Sequence, residues 1–133
     1  MATLHFELVS PERVLFSGEV EAVLLPGSEG ELTVLPGHAP LMTTLKAGFV
    51  VARNHRDDGE RVLVRSGFAE INAQGVTVLA ERASPLQELT PDTIDREILE
   101  LETRRDGSED YAARSRMNEM IAQLQEVRSA LQL

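Results

Sequence analysis

The sequence has no cysteine and no tryptophan, and only one tyrosine and four phenylalanines among its 133 residues. Without cysteine there is no disulfide, no thiolate nucleophile and no cysteine-type zinc or iron–sulfur site. With so few rings the core must be aliphatic, and a carbohydrate-binding face built on stacking rings is disfavoured. Positive charge is scarce as well. Thirteen basic residues stand against 22 acidic ones, giving a net charge of −9, and Lys46 is the only lysine. That balance excludes a nucleic-acid binder, which carries a basic surface, and adhesion to anionic lipid, which needs clustered Lys and Arg. Long apolar runs are missing. The longest, Ala47 to Ala52, falls far short of the roughly 20 residues that a spanning helix needs. Met1 to Glu7 has no basic region and its apolar character stops at Glu7, so no signal peptide is expected there. The chain is expected to be soluble, with no direct insertion into a membrane, and to reach one only through a protein partner.

The punctuating residues are unevenly spread. Eight of nine glycines precede residue 84, and the last of six prolines is Pro91. This places a boundary in Ser84–Pro91 and predicts two domains, 1–84 and 85–133. Charge does not divide them: the first carries 11 acids and 7 bases, the second 11 and 6.

The first part reads as short strands. Leu4, Phe6 and Leu8 alternate with His5 and Glu7, the period of a half-buried strand. Val20, Ala22 and Leu24 alternate with Glu19, Glu21 and Val23. Val62 and Val64 flank Leu63 between Arg61 and Arg65, and Val76, Val78 and Ala80 form a last run. Turn signals recur at Ser17-Gly18, Pro26-Gly27, Pro36-Gly37, Asp58-Gly59, Ser66-Gly67 and Gln74-Gly75, with Asp58-Gly59 expected to close a hairpin. Evenly punctuated strands with no helical stretch predict a sandwich or barrel.

The second part reads as two helices. Thr90 can cap and Pro91 suits the first helical position. Ile94, Ile98 and Leu101 share one face. Gly107 stops the helix and Ser108 is expected to cap the next. There Ala113, Met117, Met120, Leu124, Val127 and Leu131, joined by Ile121, form an apolar seam. The short link predicts an antiparallel helical hairpin.

Catalytic patterns are absent. No Walker A loop, dinucleotide fingerprint or nucleophile elbow occurs. His5, His38 and His55 show no paired metal-ligand spacing. His5 and Glu7 share a strand face, and Asp57 and Asp58 beside Gly59 read as turn formers. The chain is therefore expected to be no enzyme, with no cofactor and no metal.

The densest segment is Pro26 to Leu41, with three prolines, three glycines, Glu29, Glu31 and His38. Rigid polar loops on a β scaffold are where binding surfaces are built. The plainer alternative is that these residues only shape turns, with Glu29 and Glu31 solvated and His38 satisfying a backbone group.

The stretch Gly27-Ser28-Glu29-Gly30-Glu31-Leu32-Thr33-Val34-Leu35-Pro36-Gly37-His38-Ala39-Pro40-Leu41, followed by Leu45-Lys46-Ala47-Gly48, resembles the epsilon subunits of bacterial F-type ATP synthases, counterparts of the mitochondrial delta subunit. Val9-Ser10-Pro11-Glu12, Phe16-Ser17-Gly18 and Val76 to Glu81 are similar too. The resemblance implies a ten-stranded N-terminal β-sandwich followed by a C-terminal antiparallel α-helical hairpin. It implies a non-catalytic central-stalk rotor subunit that couples c-ring rotation to ATP synthesis through gamma. Its partners would be gamma, the c-ring and, transiently, alpha and beta. Its place would be the cytoplasmic face of the bacterial inner membrane, as a peripheral subunit. Glu29, Glu31 and His38 would be interface residues to the c-ring and gamma. The resemblance also implies an alternative role, the hairpin as inhibitor of ATP hydrolysis or ATP sensor. Regulatory contacts would come from Arg114, Arg116 and Arg128. Members that bind ATP use Ile-Asp-x-x-Arg-Ala. Here Ile94-Asp95-Arg96-Glu97 is followed by Ile98 in place of Arg and Leu99 in place of Ala, so that site does not carry over.

Overall fold

The computed structural model of the chain describes residues 2–54 and 57–131, with only the backbone of 57 and 58. His55 and the side chains of Asp57 and Asp58 lie outside the described residues. Residues 1–87 and 88–133 form two compact units.

The first unit has eight strands: β1 Leu4–Val9, β2 Val14–Val20, β3 Ala22–Gly27, β4 Gly30–Val34, β5 Leu41–Thr44, β6 Gly48–Asn54, β7 Asp57–Asn72 and β8 Gly75–Pro85. They hydrogen-bond in the order β2-β1-β8-β7-β6-β3-β4, with β5 beside β7. Among the described strands only β1 and β8 pair in parallel. Leu4, Phe6 and Leu8 of β1 share one buried cluster with Val23, Leu25 and Val34 of β3 and β4. The ladder must therefore fold over so that its two ends face each other. Phe6 is 1% exposed and its ring centroid lies 5.3 Å from that of Phe16. Each such aliphatic or aromatic side chain contributes about 1.5–3 kcal/mol on burial.

Eight strands stand among the described residues where the resemblance implies ten, and β7 accounts for one of the two. Its residues 62–64 pair with β6, whereas its residues 68–71 pair with β5. One 16-residue strand thus serves both halves of the fold. It changes direction at Ser66-Gly67, where φ is 60° and 145°. This dipeptide, expected as a turn, is a bend inside a strand. Ser17-Gly18 likewise lies within β2 and Pro26-Gly27 within β3. Asp58-Gly59 does not close its hairpin either. Residues 52 and 54 of β6 pair with 60 and 57 of β7, so Gly59 sits in a bulge. Pro36-Gly37 and Gln74-Gly75 do turn the chain. Asn72 Oδ1 accepts from the Gln74 and Gly75 amides at 2.9 and 3.2 Å.

The expected phase of Val20, Ala22 and Leu24 is also corrected. Val20 is buried in β2, but the chain bends at Glu21 and β3 buries Val23 and Leu25 instead. The Glu21 amide bonds to the Arg53 carbonyl at 3.0 Å, so the bend is where the chain leaves β1 for β6.

The second unit has a 3₁₀ turn at Leu86–Glu88 and two helices, α1 Pro91–Asp106 and α2 Tyr111–Leu131. Thr90 caps α1 reciprocally. Its hydroxyl accepts from the Thr93 amide and the Thr93 hydroxyl accepts from the Thr90 amide, at 3.2 and 3.0 Å. These bonds satisfy amides that a helix start leaves unpaired. Asp110, rather than Ser108, caps α2 by accepting from the Ala112 amide at 3.0 Å. Ile94 of α1 and Ile121, Leu124 and Val127 of α2 are buried. No helix among the described residues is long and apolar enough to cross a membrane.

Candidate interaction face and polar loops

The three residues that the sequence singles out do not converge. Ser28 and Glu29 form the tip of the β3–β4 hairpin, which closes at the Gly27–Gly30 pair, and Glu31 follows opposite Pro26. Both glutamates are exposed. The tip is tied to the end of β5: the Ser28 amide donates to the Thr44 carbonyl at 3.0 Å and the Lys46 amide to the Pro26 carbonyl at 3.0 Å.

His38 lies at the other end of β4. Leu35-Pro36-Gly37-His38 is a tight turn, with the His38 amide donating to the Leu35 carbonyl at 3.1 Å. Gly37 has φ of 84°, as the third residue of a turn with proline second requires. His38 Nδ1 donates to the Ala39 carbonyl at 2.6 Å. It lines a shallow hollow of about 50 Å³ with Thr3, Pro36, Asn72 and Gln74. Satisfying a backbone group is therefore what His38 does within this chain.

A larger feature escaped the sequence reading. The segments β1, β2, β5, residues 67–72 of β7 and residues 75–81 of β8 turn one side to the core and the other outward. Thr44 pairs with Phe68, Phe68 with Leu79, Leu79 with Val9, and Val9 with Val14. These outward side chains form a rank across five strands, about 19 Å long at strand spacing. Phe68 is 39%, Leu79 43% and Val14 62% exposed, and Met42, one rank over, is 61% exposed. Contiguous exposed apolar surface of this kind marks an interaction site. Around it the five segments carry Glu7, Glu19, Glu70 and Glu81 and contain no Lys or Arg. The sequence offers only a partial signal, Leu79 and Phe68 being apolar at the outward phase of their strands, and the rank itself needs the cross-strand register.

At the border of this face His5 stands between two carboxylates. Its Nδ1 is 3.0 Å from Glu19 Oε2 and its Nε2 is 3.1 Å from Glu7 Oε1. Thr3 donates its hydroxyl to Glu19 Oε1 at 3.0 Å. The hydrogen bonds to Glu7, then Glu19, raise the His5 pKa above its ordinary 6.5. A raised pKa means that the trio stabilises the fold below the unfolded value and loses this contribution as pH rises through the folded one.

On the helices, Arg128 Nε donates to Asp95 Oδ1 at 2.5 Å and its terminal nitrogen to Asp95 Oδ2 at 3.1 Å. The pair raises the Arg128 pKa, first through the hydrogen bond and then through charge. Arg105 donates to Asn118 Oδ1 at 2.9 Å and Arg114 to the Ser108 carbonyl at 3.2 Å. Arg116 is exposed. The Arg128–Asp95 pair is open to water and hence screened by salt. Arg128→Gln is expected to speed amide exchange in the last two turns of α2 and leave the sheet amides unchanged. High salt should do the same to the unaltered chain. Equal exchange in both proteins would deny the pair that role.

The sequence model described as "ATP synthase, Delta/Epsilon chain, beta-sandwich domain" matches residues 3–86. The ATP synthase epsilon chain of Parvibaculum lavamentivorans is 50% identical over 95 residues, 71% of this chain and 72% of that one. That of Chelativorans sp. is 41% identical over 129 residues, 97% of this chain and 96% of that one. Among solved structures, a chain of the Euglena gracilis mitochondrial ATP synthase (OSCP/F1/c-ring) matches with a TM-score of 0.78. It is 22% identical and the match covers 98% of this chain and 82% of that one.

Proposed function

The chain belongs to the ATP synthase delta/epsilon chain family, and we propose that it is the non-catalytic rotor subunit of the central stalk in a proton-translocating F-type ATP synthase. It couples rotation of the c-ring, through gamma, to ATP synthesis in the catalytic head. It holds that place at the cytoplasmic face of the bacterial inner membrane as a peripheral subunit. The bacterial relatives support this placement.

One observation carries the docking reading: the apolar rank of Phe68, Leu79, Val9 and Val14 on a face whose five segments carry four glutamates and no Lys or Arg. Gamma docks there with an apolar strip flanked by Lys or Arg. The charges set register and association rate, and the apolar contacts supply most of the affinity. Glu29 and Glu31, exposed at the tip of the β3–β4 hairpin, meet the polar loops of the c-ring. His38 presents Nε2 to a neighbouring subunit from the opposite end of β4.

Residues 85–133 act as an antiparallel hairpin. The pairing of Asp95 with Arg128 and of Arg105 with Asn118 supports that arrangement. The hairpin is the regulatory element in the second reading, inhibition of ATP hydrolysis through transient contacts with alpha and beta. Arg114 and Arg128 are engaged within it, so such contacts would first break these bonds.

Because the chain has no cysteine, one introduced cysteine is a unique handle. In assembled complexes, a photo-crosslinker on Glu31→Cys is expected to capture the c-ring, and one on Thr77→Cys to capture gamma. Capture of neither subunit from either position would refute the assignment.

A further inference from the structure

We propose that His5 makes this face sensitive to protons, so that its affinity for a basic partner surface rises as His5 loses its charge. The inference rests on the reading of the face as the gamma-docking surface and adds a regulation to it.

The geometry points to a charged histidine. Both ring nitrogens face carboxylate oxygens, at 3.0 and 3.1 Å. An ionised carboxylate only accepts hydrogen bonds, so both contacts exist together only when both nitrogens carry protons. Neutral imidazole can donate to one glutamate alone and leaves the other without its imidazole donor. The trio is exposed, with His5 at 46%, Glu7 at 44% and Glu19 at 59% side-chain exposure, so a partner can reach it.

Among the described residues, the neighbours of His5 on β1, β2 and β8 add no Lys or Arg. On the β2 side His5 pairs with Glu19, and on the β8 side with Gly75, which has no side chain. Gln74 and Thr77 on β8 and its turn are uncharged, as is Thr3 before β1. His38 lines the adjoining hollow with Thr3 and Gln74. Within the five segments of the face, His5 is the sole group that can be positive against four glutamates. Its protonation changes the net charge from −4 to −3, counted as four acids with and without one imidazolium.

The change acts at one spot. Glu7 occupies the outward rank next to the apolar one, since it is two residues from Val9 and its β8 partner Thr77 is two residues from Leu79, and Glu19 stands one rank further out, beside His5. When His5 is protonated both carboxylates are engaged with it. When it is neutral, one becomes an acceptor for a partner's Lys or Arg. The thermodynamics are reciprocal: a basic partner that binds here must lower the His5 pKa.

The test measures the affinity of the full chain for its cognate purified gamma subunit by calorimetry at fixed ionic strength, from about pH 6 to about pH 9. Unaltered chain, His5→Gln and His5→Arg are compared, so that titration of gamma itself cancels. Unaltered chain should bind more tightly at the alkaline end, by up to about fivefold at low salt and by less as salt screens the contact, the size of one exposed charge contact in water. His5→Gln should lack that gain and hold the alkaline affinity throughout, and His5→Arg should hold the weaker one. A pH dependence in the unaltered chain that His5→Gln fully retains would overturn the proposal. No binding by any of the three at any pH would overturn instead the docking reading beneath it.

Discussion

Phe68→Glu combined with Leu79→Glu is expected to abolish measurable binding to gamma while the chain stays folded. The two residues are neighbours in register on β7 and β8, at the middle of the outward apolar rank. Interface energy concentrates in a few central apolar anchors, each worth about 2 kcal/mol or more. Removing two and placing charges where the partner must exclude water should weaken binding at least about a thousandfold. Both positions are already 39–43% exposed, so the fold loses little. The core side chains lie on the other side of the sheet. Calorimetric titration against gamma measures the first effect and circular dichroism checks the second. Near-normal affinity in the folded double variant would remove this face from the docking account.

Gly67→Ala is expected to destabilise the fold strongly. Gly67 holds φ of 145°, which L-residues rarely adopt. A Cβ there would lie 2.3 Å from the Leu79 carbonyl oxygen and 2.9 Å from Ala80 Cα, both backbone of the paired strand. Neither atom can yield without breaking the β7–β8 ladder. Backbone strain of about 1–3 kcal/mol and overpacking of similar size together predict a loss of about 3 kcal/mol or more. Urea unfolding should show a lowered midpoint with little change in slope. An unchanged midpoint would mean that the bend does not need glycine.

The same bend explains what the sequence could and could not reveal. Leu4, Phe6 and Leu8 alternate cleanly because β1 keeps one face buried along its length, and the structure buries all three. The start of α1 was legible because Thr90 and Pro91 act through local chemistry. Strand count was not legible. Gly67 and Gly18 carry the residue signature of turns, yet the first bends a strand that changes partner and the second pairs with Phe6 inside β2. Local sequence reports where the backbone is permissive, not what it pairs with afterwards. Val23 and Leu25 were missed for a related reason, since the chain changes partner at Glu21 and the alternation restarts out of phase. At the candidate site, the loops around Glu29, Glu31 and His38 stand out by composition, but only the fold shows that β4 separates them. The apolar rank needs register across five strands, and no single segment carries that information.

On this reading the chain couples the rotor through its apolar face. Membrane vesicles stripped of the subunit, with purified chain added back, test it most directly by ATP-driven proton pumping. Unaltered chain should restore pumping, and the Phe68→Glu, Leu79→Glu double variant, folded and in excess, should not. Failure of the unaltered chain to restore pumping, or full restoration by the double variant, would contradict it.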